Sequence, residues 1–206
     1  MSKYNASGLS FTYDSSNTAY YISKSSNSNF AFVTLSNINF GQDILIKADV
    51  KLDNGSGNFN TQFAFKFGNV LTRLINAVIS SATKQITISN SSYADITNAN
   101  VDISANTWYN LELQIMNGSA TLTLKNGETI IGEITGNVSS LIGSSNSFQI
   151  AMGYSGSYQK GYIKNIEILD KNTLEEQIDA NEDSIALIAC RVESVRLIDN
   201  IYLGGI

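Results

Sequence analysis

Apolar and polar residues alternate with a period of two in several stretches of the chain. In Asp43–Leu52 the even positions Ile44, Ile46, Ala48, Val50 and Leu52 are all apolar, and the odd ones are mostly polar, with Leu45 the exception. Phe63, Phe65 and Phe67 alternate with Ala64 and Lys66; Leu111, Leu113 and Ile115 with Glu112 and Gln114; Ala120, Leu122 and Leu124 with Thr121, Thr123 and Lys125. Successive side chains of a strand point to opposite faces, so each stretch reads as a half-buried antiparallel strand. Weaker patterns predict strands over Leu9–Tyr13, Thr18–Ser23, Phe30–Leu35, Leu71–Ser80, Gln85–Ile88, Thr129–Ile134, Ser147–Tyr154 and Gly161–Leu169. Leu71–Ile79 could also form a short helix; its β-branched residues and its neighbours favour a strand. Turn signals separate these segments: Asp53-Asn54-Gly55-Ser56-Gly57, Asn117-Gly118, Asn126-Gly127, Gly143-Ser144-Ser145-Asn146 and Ser155-Gly156-Ser157. Asn117-Gly118 and Asn126-Gly127 are hairpin signals, because both residue types tolerate the positive φ of a type I′ turn. Many short strands at this spacing predict an all-β antiparallel jelly-roll sandwich.

The period changes near the C-terminus. Leu174, Ile178, Ile185, Ile188, Val192 and Val195 follow a four-three spacing, with Asn181 filling the one gap. This is the seam of a coiled coil. Thr173 is a good N-cap, and Glu176 completes a capping box. The expectation is a body over residues 1–169 and, over 170–206, an oligomerisation or anchoring helix and tail, with the helix running from about Thr173 to Ile198. β-branched residues in both seam rows disfavour dimers and shift preference to trimers or tetramers, with a homotrimer expected and Asn181 buried on its axis. The alternative is that the helix packs on its own sandwich or on a neighbouring domain of a larger assembly.

Composition narrows the function classes. The chain has 206 residues, a formal net charge of -5 and only 15% charged residues, so its polarity comes mostly from Ser, Asn and Thr. An acidic chain without a Lys/Arg stripe is not expected to bind nucleic acid. No apolar run approaches the roughly 20 residues of a membrane span, and there is no basic amphipathic helix, so no membrane partner is expected. Met1–Tyr13 lacks the apolar core of a signal peptide, as expected of a protein that reaches the outside by virion assembly, or of a chain that has lost its leader. The single Cys190 excludes an intrachain disulfide; it reads as a residue on the flank of the helix, with intersubunit pairing as the alternative. There is no His, which removes imidazole acid–base chemistry and His-ligated metal sites. Asn5, Asn54, Asn90, Asn117 and Asn137 begin Asn-x-Ser/Thr sequons, but a chain this rich in Asn and Ser produces them by composition.

One segment carries a family resemblance. Asn106-Thr107-Trp108-Tyr109-Asn110-Leu111-Glu112-Leu113 leads through Asn117-Gly118 into Ala120-Thr121-Leu122-Thr123-Leu124 and Asn126-Gly127. This resembles the concanavalin A-like / laminin-G-like jelly-roll superfamily, and Tyr162–Ile168 is similar to the closing strand of those domains. The resemblance implies two stacked antiparallel sheets over Tyr4 to about Leu169. It also implies a ligand, often a glycan, at loop tips or on the concave face. Family calcium sites use loop oxygens, which Asp53 and Asn54 could supply; calcium wants six to eight, and no full set is present, so no metal or other cofactor is expected. The superfamily includes glycosidases with paired acids along one strand. Here Glu128 and Glu133 flank a strand on opposite faces, and no catalytic pair is legible.

Candidate ligand residues follow. Trp108 shares parity with Asn110 and Glu112, off the apolar stripe, and reads as a stacking platform for a sugar ring unless a bulge turns it into the core. Tyr154 and Tyr158, with Tyr162, bracket Ser/Gly-rich loops, a composition suited to an adaptable binding surface; alternatively they are strand-end tyrosines with hydroxyls in water. Tyr93 and Phe59 carry the same two readings, with Asp95 and Asn58 as partners for sugar hydroxyls. The function expected is a non-catalytic virion fibre or receptor-binding module, at the virion surface or outside the cell, attaching to host-surface glycan or wall polymer. The alternative is a structural decoration or adaptor protein of a virion or cell surface that docks on other virion proteins through its helix. A glycoside hydrolase ranks below both.

Overall fold

The computed structural model describes residues 9–24, 31–35, 43–53, 60–77, 84–90, 92, 94–142, 148–152, 159–170, 185–192 and 195–202. Every helix or strand among them is a strand: β1 (Leu9–Asp14), β2 (Ala19–Lys24), β3 (Ala31–Leu35), β4 (Ile44–Asp53), β5 (Asn60–Phe67), β6 (Val70–Ala77), β7 (Gln85–Asn90), β8 (Asp95–Asn100), β9 (Trp108–Met116), β10 (Ser119–Asn126), β11 (Thr129–Asn137), β12 (Phe148–Met152), β13 (Gln159–Asp170), β14 (Ile185–Val192) and β15 (Val195–Tyr202). The first thirteen form an antiparallel sandwich of a seven-stranded sheet, order β1-β2-β13-β4-β9-β10-β11, and a six-stranded sheet, order β3-β12-β5-β6-β7-β8.

The two-residue alternation determines which side chains meet between the sheets. Ile44, Ile46, Ala48, Val50 and Leu52 of β4 are buried, as are Leu111, Leu113 and Ile115 of β9 and Leu122 and Leu124 of β10. Phe63, Phe65 and Phe67 of β5 join the same core from the opposite sheet. Removing one such side chain from water stabilises by roughly 1.5–3 kcal/mol. Leu71–Ala77 resolves as strand within β6, which pairs with both β5 and β7; Val78 and Ile79 lie outside the described residues. Thr72 is fully buried there, and its Oγ1 accepts from Phe65 N (2.9 Å) and donates to Phe65 O (3.1 Å), satisfying both main-chain groups. β8 escapes the sequence pattern because Asp95-Ile96-Thr97-Asn98-Ala99-Asn100 is polar and mostly exposed; it is an edge strand, buttressed by β7 and β11.

The β9–β10 hairpin turns at Asn117 (φ 51°) and Gly118 (φ 75°), the two positive angles of a type I′ turn. The next turn is shifted by one residue from the expected Asn126-Gly127. Asn126 pairs with Thr129, so Gly127-Glu128 are the central residues, with φ positive (58°) at Gly127 alone. Glycine at the first central position is the type II′ preference, so Asn126 is free to remain in the strand.

Residues 185–192 and 195–202 are strand where a helix was expected. β14 and β15 pair as an antiparallel hairpin, with Ile185 opposite Tyr202, Cys190 opposite Leu197 and Val192 opposite Val195. The physical reason lies in the same β-branched residues that suggested a trimer: with Ile198 and Ile201 they favour extended backbone over helix. The remaining seam positions Leu174, Ile178 and Asn181, and the cap Thr173, lie outside the described residues.

Candidate functional site: the outer face of the seven-stranded sheet

Positions of β2, β4, β9, β10 and β13 that alternate with the core residues carry side chains on the face turned away from the six-stranded sheet. Register aligns them in rows. Tyr21 of β2 is opposite Tyr162 of β13, Tyr162 is opposite Lys51 of β4, and Lys51 is opposite Trp108 of β9. Four adjacent strands thus contribute one row of three aromatic rings and a lysine. The Tyr21 and Tyr162 rings lie 4.8 Å apart, and the Trp108 and Tyr162 rings 6.3 Å apart. Lys51 Nζ lies between them, 4.3 Å from the Tyr162 centroid and 5.0 Å from that of Trp108. Lys164, two residues along β13, places its Nζ 4.2 Å from the Trp108 centroid.

The local sequence explains how Trp108 comes to this face. Asn106 adopts φ 59° and donates its N–H to Leu52 O at 2.6 Å, tying the start of β9 to the end of β4. Buried Tyr109 turns the other way, its hydroxyl accepting from Ser104 N at 2.8 Å. Trp108 is therefore half-buried on the outer face and not in the core. Beside it, Asp14 closes the β1–β2 turn: its carboxylate accepts from Asn17 Nδ2 (2.8 Å) and Ser16 N (2.9 Å), while Asn17 Oδ1 accepts from Lys51 Nζ (2.9 Å). The Asn17 amide bond, with the backbone bonds, holds the Asp14 carboxyl below its ordinary range. Burial, reinforced by Asp53 and Tyr162, pushes the Tyr21 phenol up to about 12. Tyr162 is raised as well, by burial and then by the nearby Asp14 and Asp53 carboxylates.

A second row carries the next level of polar groups. β13 has a bulge between Lys164 and Glu167, with Asn165 at φ 53°. The bulge aims the Asn165 amide at Asp49, whose other oxygen accepts from Asn110 Nδ2 at 3.2 Å. Asn110 Oδ1 is left buried without a hydrogen-bond partner. Farther along lies an open depression of about 210 Å³ lined by Glu112, Gln114, Thr121, Thr123, Lys125 and Glu133, among others. Glu112 is ion-paired with Lys125 at 2.8 Å, and Thr123 Oγ1 donates to Glu133 at 3.1 Å. From Trp108 to Gln114 along β9 the row spacing gives a track about 20 Å long, enough for several consecutive sugar units.

This face holds a carboxylate pair that linear spacing does not reveal. Glu112 is opposite Thr123, and Thr123 is opposite Glu133, so the two acids share one row two strands apart. Their backbone separation, about 9.5 Å, follows from strand spacing alone. Glu128 sits in the exposed turn and takes no part. Of the residues picked from sequence, Trp108 is in the aromatic row, and Tyr162 joins it from β13. Asp95 lies on the edge strand of the other sheet and is not brought near them. Tyr93, Tyr154, Tyr158, Asn58 and Phe59 lie outside the described residues, as does Asn54. Among the described residues no group of three or more Cys, Asp or Glu side chains is placed to hold a metal ion.

Comparison with known proteins bears on the fold. The exoplasmic/lumenal domain of VIP36 in a Ca2+/Man-bound form aligns with 83% of this chain and 84% of its own, at TM-score 0.57 and 11% identity. An alginate lyase of polysaccharide lyase family 7 aligns over 82% of each chain at TM-score 0.53 and 11% identity. These structures share the fold, an all-β antiparallel sandwich of jelly-roll type. At these identities the likeness carries architecture only. A family model described as pantoate-beta-alanine ligase matches residues 122–202, under half the chain. That segment begins within β10 and ends at the last residue of β15, cutting across the sandwich, and corresponds to no unit of the fold. No curated protein matches the sequence.

Proposed function

We propose that this chain is a non-catalytic glycan-binding module whose ligand lies on the outer face of the seven-stranded sheet, along β9 and its neighbours. The observation that carries this reading is the row Tyr21–Tyr162–Lys51–Trp108. It presents aromatic carbon for the C–H face of a sugar ring beside amide, hydroxyl and carboxylate groups for its hydroxyls. A site of few polar groups set around an aromatic surface suits a pyranose, which is itself apolar on its faces and polar at its rim. The Ca2+/Man-bound VIP36 domain and the polysaccharide-lyase family 7 alginate lyase share this architecture, which supports a saccharide as the ligand class. The setting we infer is host attachment at a virion surface, where several weak sites on one oligomer, a homotrimer in our reading, add avidity. The test is a saccharide panel read by calorimetry with wild-type protein and the Trp108→Ala and Tyr162→Ala variants. Binding should weaken about tenfold or more in each variant, a loss of roughly 1.4 kcal/mol. Binding that survives both changes, or no binding by the wild type, would sink the reading.

A second reading, a glycoside hydrolase, is favoured by one observation: Glu112 and Glu133 share a row at a backbone spacing comparable with the roughly 6.5–9.5 Å between the acids of inverting enzymes. Release of reducing ends from a bound polysaccharide, abolished by Glu112→Gln or Glu133→Gln, would establish it. We expect none, because both carboxylates are already engaged by Lys125 and Thr123.

A further inference from the structure

Three lysines among the described residues have carboxylate partners. Lys125 pairs with Glu112 at 2.8 Å, Lys84 with Asp102 at 3.5 Å and Lys47 with Glu167 at 4.0 Å. Lys51 and Lys164 differ. Lys51 Nζ donates to the neutral Asn17 amide oxygen at 2.9 Å and otherwise lies over the Tyr162 and Trp108 rings. The contact of Lys164 Nζ is the Trp108 ring at 4.2 Å.

Carboxylates are close to both lysines but are withheld from them. Asp49 is directly opposite Lys164 in the β13–β4 register, yet its two oxygens accept from the side-chain amides of Asn110 and Asn165. Asp14 stands behind Asn17, and its oxygens accept from the Asn17 amide and from turn N–H groups. In each case asparagine amides occupy the carboxylate, and Asn17 also bridges from Asp14 to Lys51. Two ammonium groups consequently converge on one indole, and among the described residues neither is in an ion pair, although Asp14, Asp49 and Asp53 stand nearby. An ammonium over an exposed aromatic ring is held more weakly than one in a charge-assisted hydrogen bond, so an incoming anion can draw both onto itself.

We propose that the Trp108 end of the face selects an acidic saccharide, one whose carboxylate or sulfate is taken by Lys51 and Lys164 while its ring packs against Trp108 and Tyr162. This rests on the glycan-binding reading and adds the charge class of the ligand. Lys160 also faces this end, but it is opposite Asp53, so it is not assigned a part.

The experiment uses the full chain and hexasaccharides offered in matched pairs: uronates with their methyl esters, and sulfated sugars with their desulfated parents. Affinities are measured at low and at high salt for wild type and for Lys51→Gln, Lys164→Gln and the double variant, with Lys84→Gln as a control on another surface. Thermal melting verifies that each variant is folded. At least one acidic sugar should bind about tenfold more tightly than its neutral partner, and that margin should shrink with salt. The margin should fall to near unity in the double variant and stay whole in Lys84→Gln. Equal affinity within every pair, or a margin untouched in the double variant, overturns the acidic-ligand proposal and leaves glycan binding standing. No binding to any saccharide overturns both.

Discussion

Lys51 and Trp108 are opposite one another across β4 and β9, and the lysine ammonium lies 5.0 Å from the indole centroid. Because Trp108 is the single tryptophan of the chain, its fluorescence reports this site. Saturating saccharide should shift or quench the emission, and Lys164→Met should alter it in the free protein by removing the cation 4.2 Å from the ring. Emission unmoved by a ligand that calorimetry shows to bind would place the ligand elsewhere on the molecule.

Gly132 and Gly136 allow β11 to close one side of the sandwich. A Cβ at Gly132 would overlap Val101 Cγ1 and stand 3.1 Å from Ile86 Cδ1, and one at Gly136 would stand 2.8 Å from Ile96 Cγ2. Gly132→Ala should cost about 1–3 kcal/mol, the usual penalty for overpacking. Pairing it with Val101→Ala should recover part of that loss if the overlap is the cause. Chemical denaturation of the single and double variants measures both effects. A Gly132→Ala protein as stable as wild type would show that the sheets can move apart there.

Burial and the Asp53 and Tyr162 neighbours raise the Tyr21 phenol to about 12 from its ordinary 10.0. The sign follows from linkage: the unfolded chain ionises first, so the stability held by the neutral phenol is intact below about pH 10 and is lost as pH rises to about 12. Phenolate absorbance should show late-titrating phenols, of which the latest disappears in Tyr21→Phe. The alkaline loss of stability should also become shallower in that variant. A titration without a late group would mean that Tyr21 is better solvated than its row implies.

The sandwich was largely legible in the sequence because its cause is local. β4 and β9 alternate without interruption, and Asn117-Gly118 adopts the turn its residue types favour. β8 was not legible, since Asp95–Asn100 is an edge strand buttressed by β7 and β11 and has no apolar stripe of its own. The site was legible only in part. Parity put Trp108 off the apolar stripe but left open a bulge that would turn it into the core, and its companions Tyr21, Lys51 and Tyr162 come from strands whose neighbour relations appear only once the sheet order is known. The same holds for Glu112 and Glu133, whose common row depends on the registers of two strand pairs. At the C-terminus, β-branched residues at a four-three spacing satisfy a coiled-coil template and a strand propensity together, and linear pattern alone does not choose between them.

That ambiguity yields the last prediction. β13 completes its ladder with β4 at Asp170, and the β14–β15 hairpin forms a two-stranded sheet of its own. A chain ending at Asp170 should keep the sandwich: its melting temperature should change by no more than a few degrees, because no ladder of the two large sheets is cut. Light scattering of both lengths then tests what the removed segment does. If the full chain is oligomeric and the shorter one monomeric, residues beyond 170 hold the copies together whatever backbone they adopt, and the avidity needed for surface attachment comes from them. If both lengths give the same mass, assembly belongs to the sandwich itself or does not occur. An isolated two-stranded hairpin is marginal in water, so full-length protein that is monomeric but strongly protected from hydrogen exchange over 185–202 would point to packing against its own body.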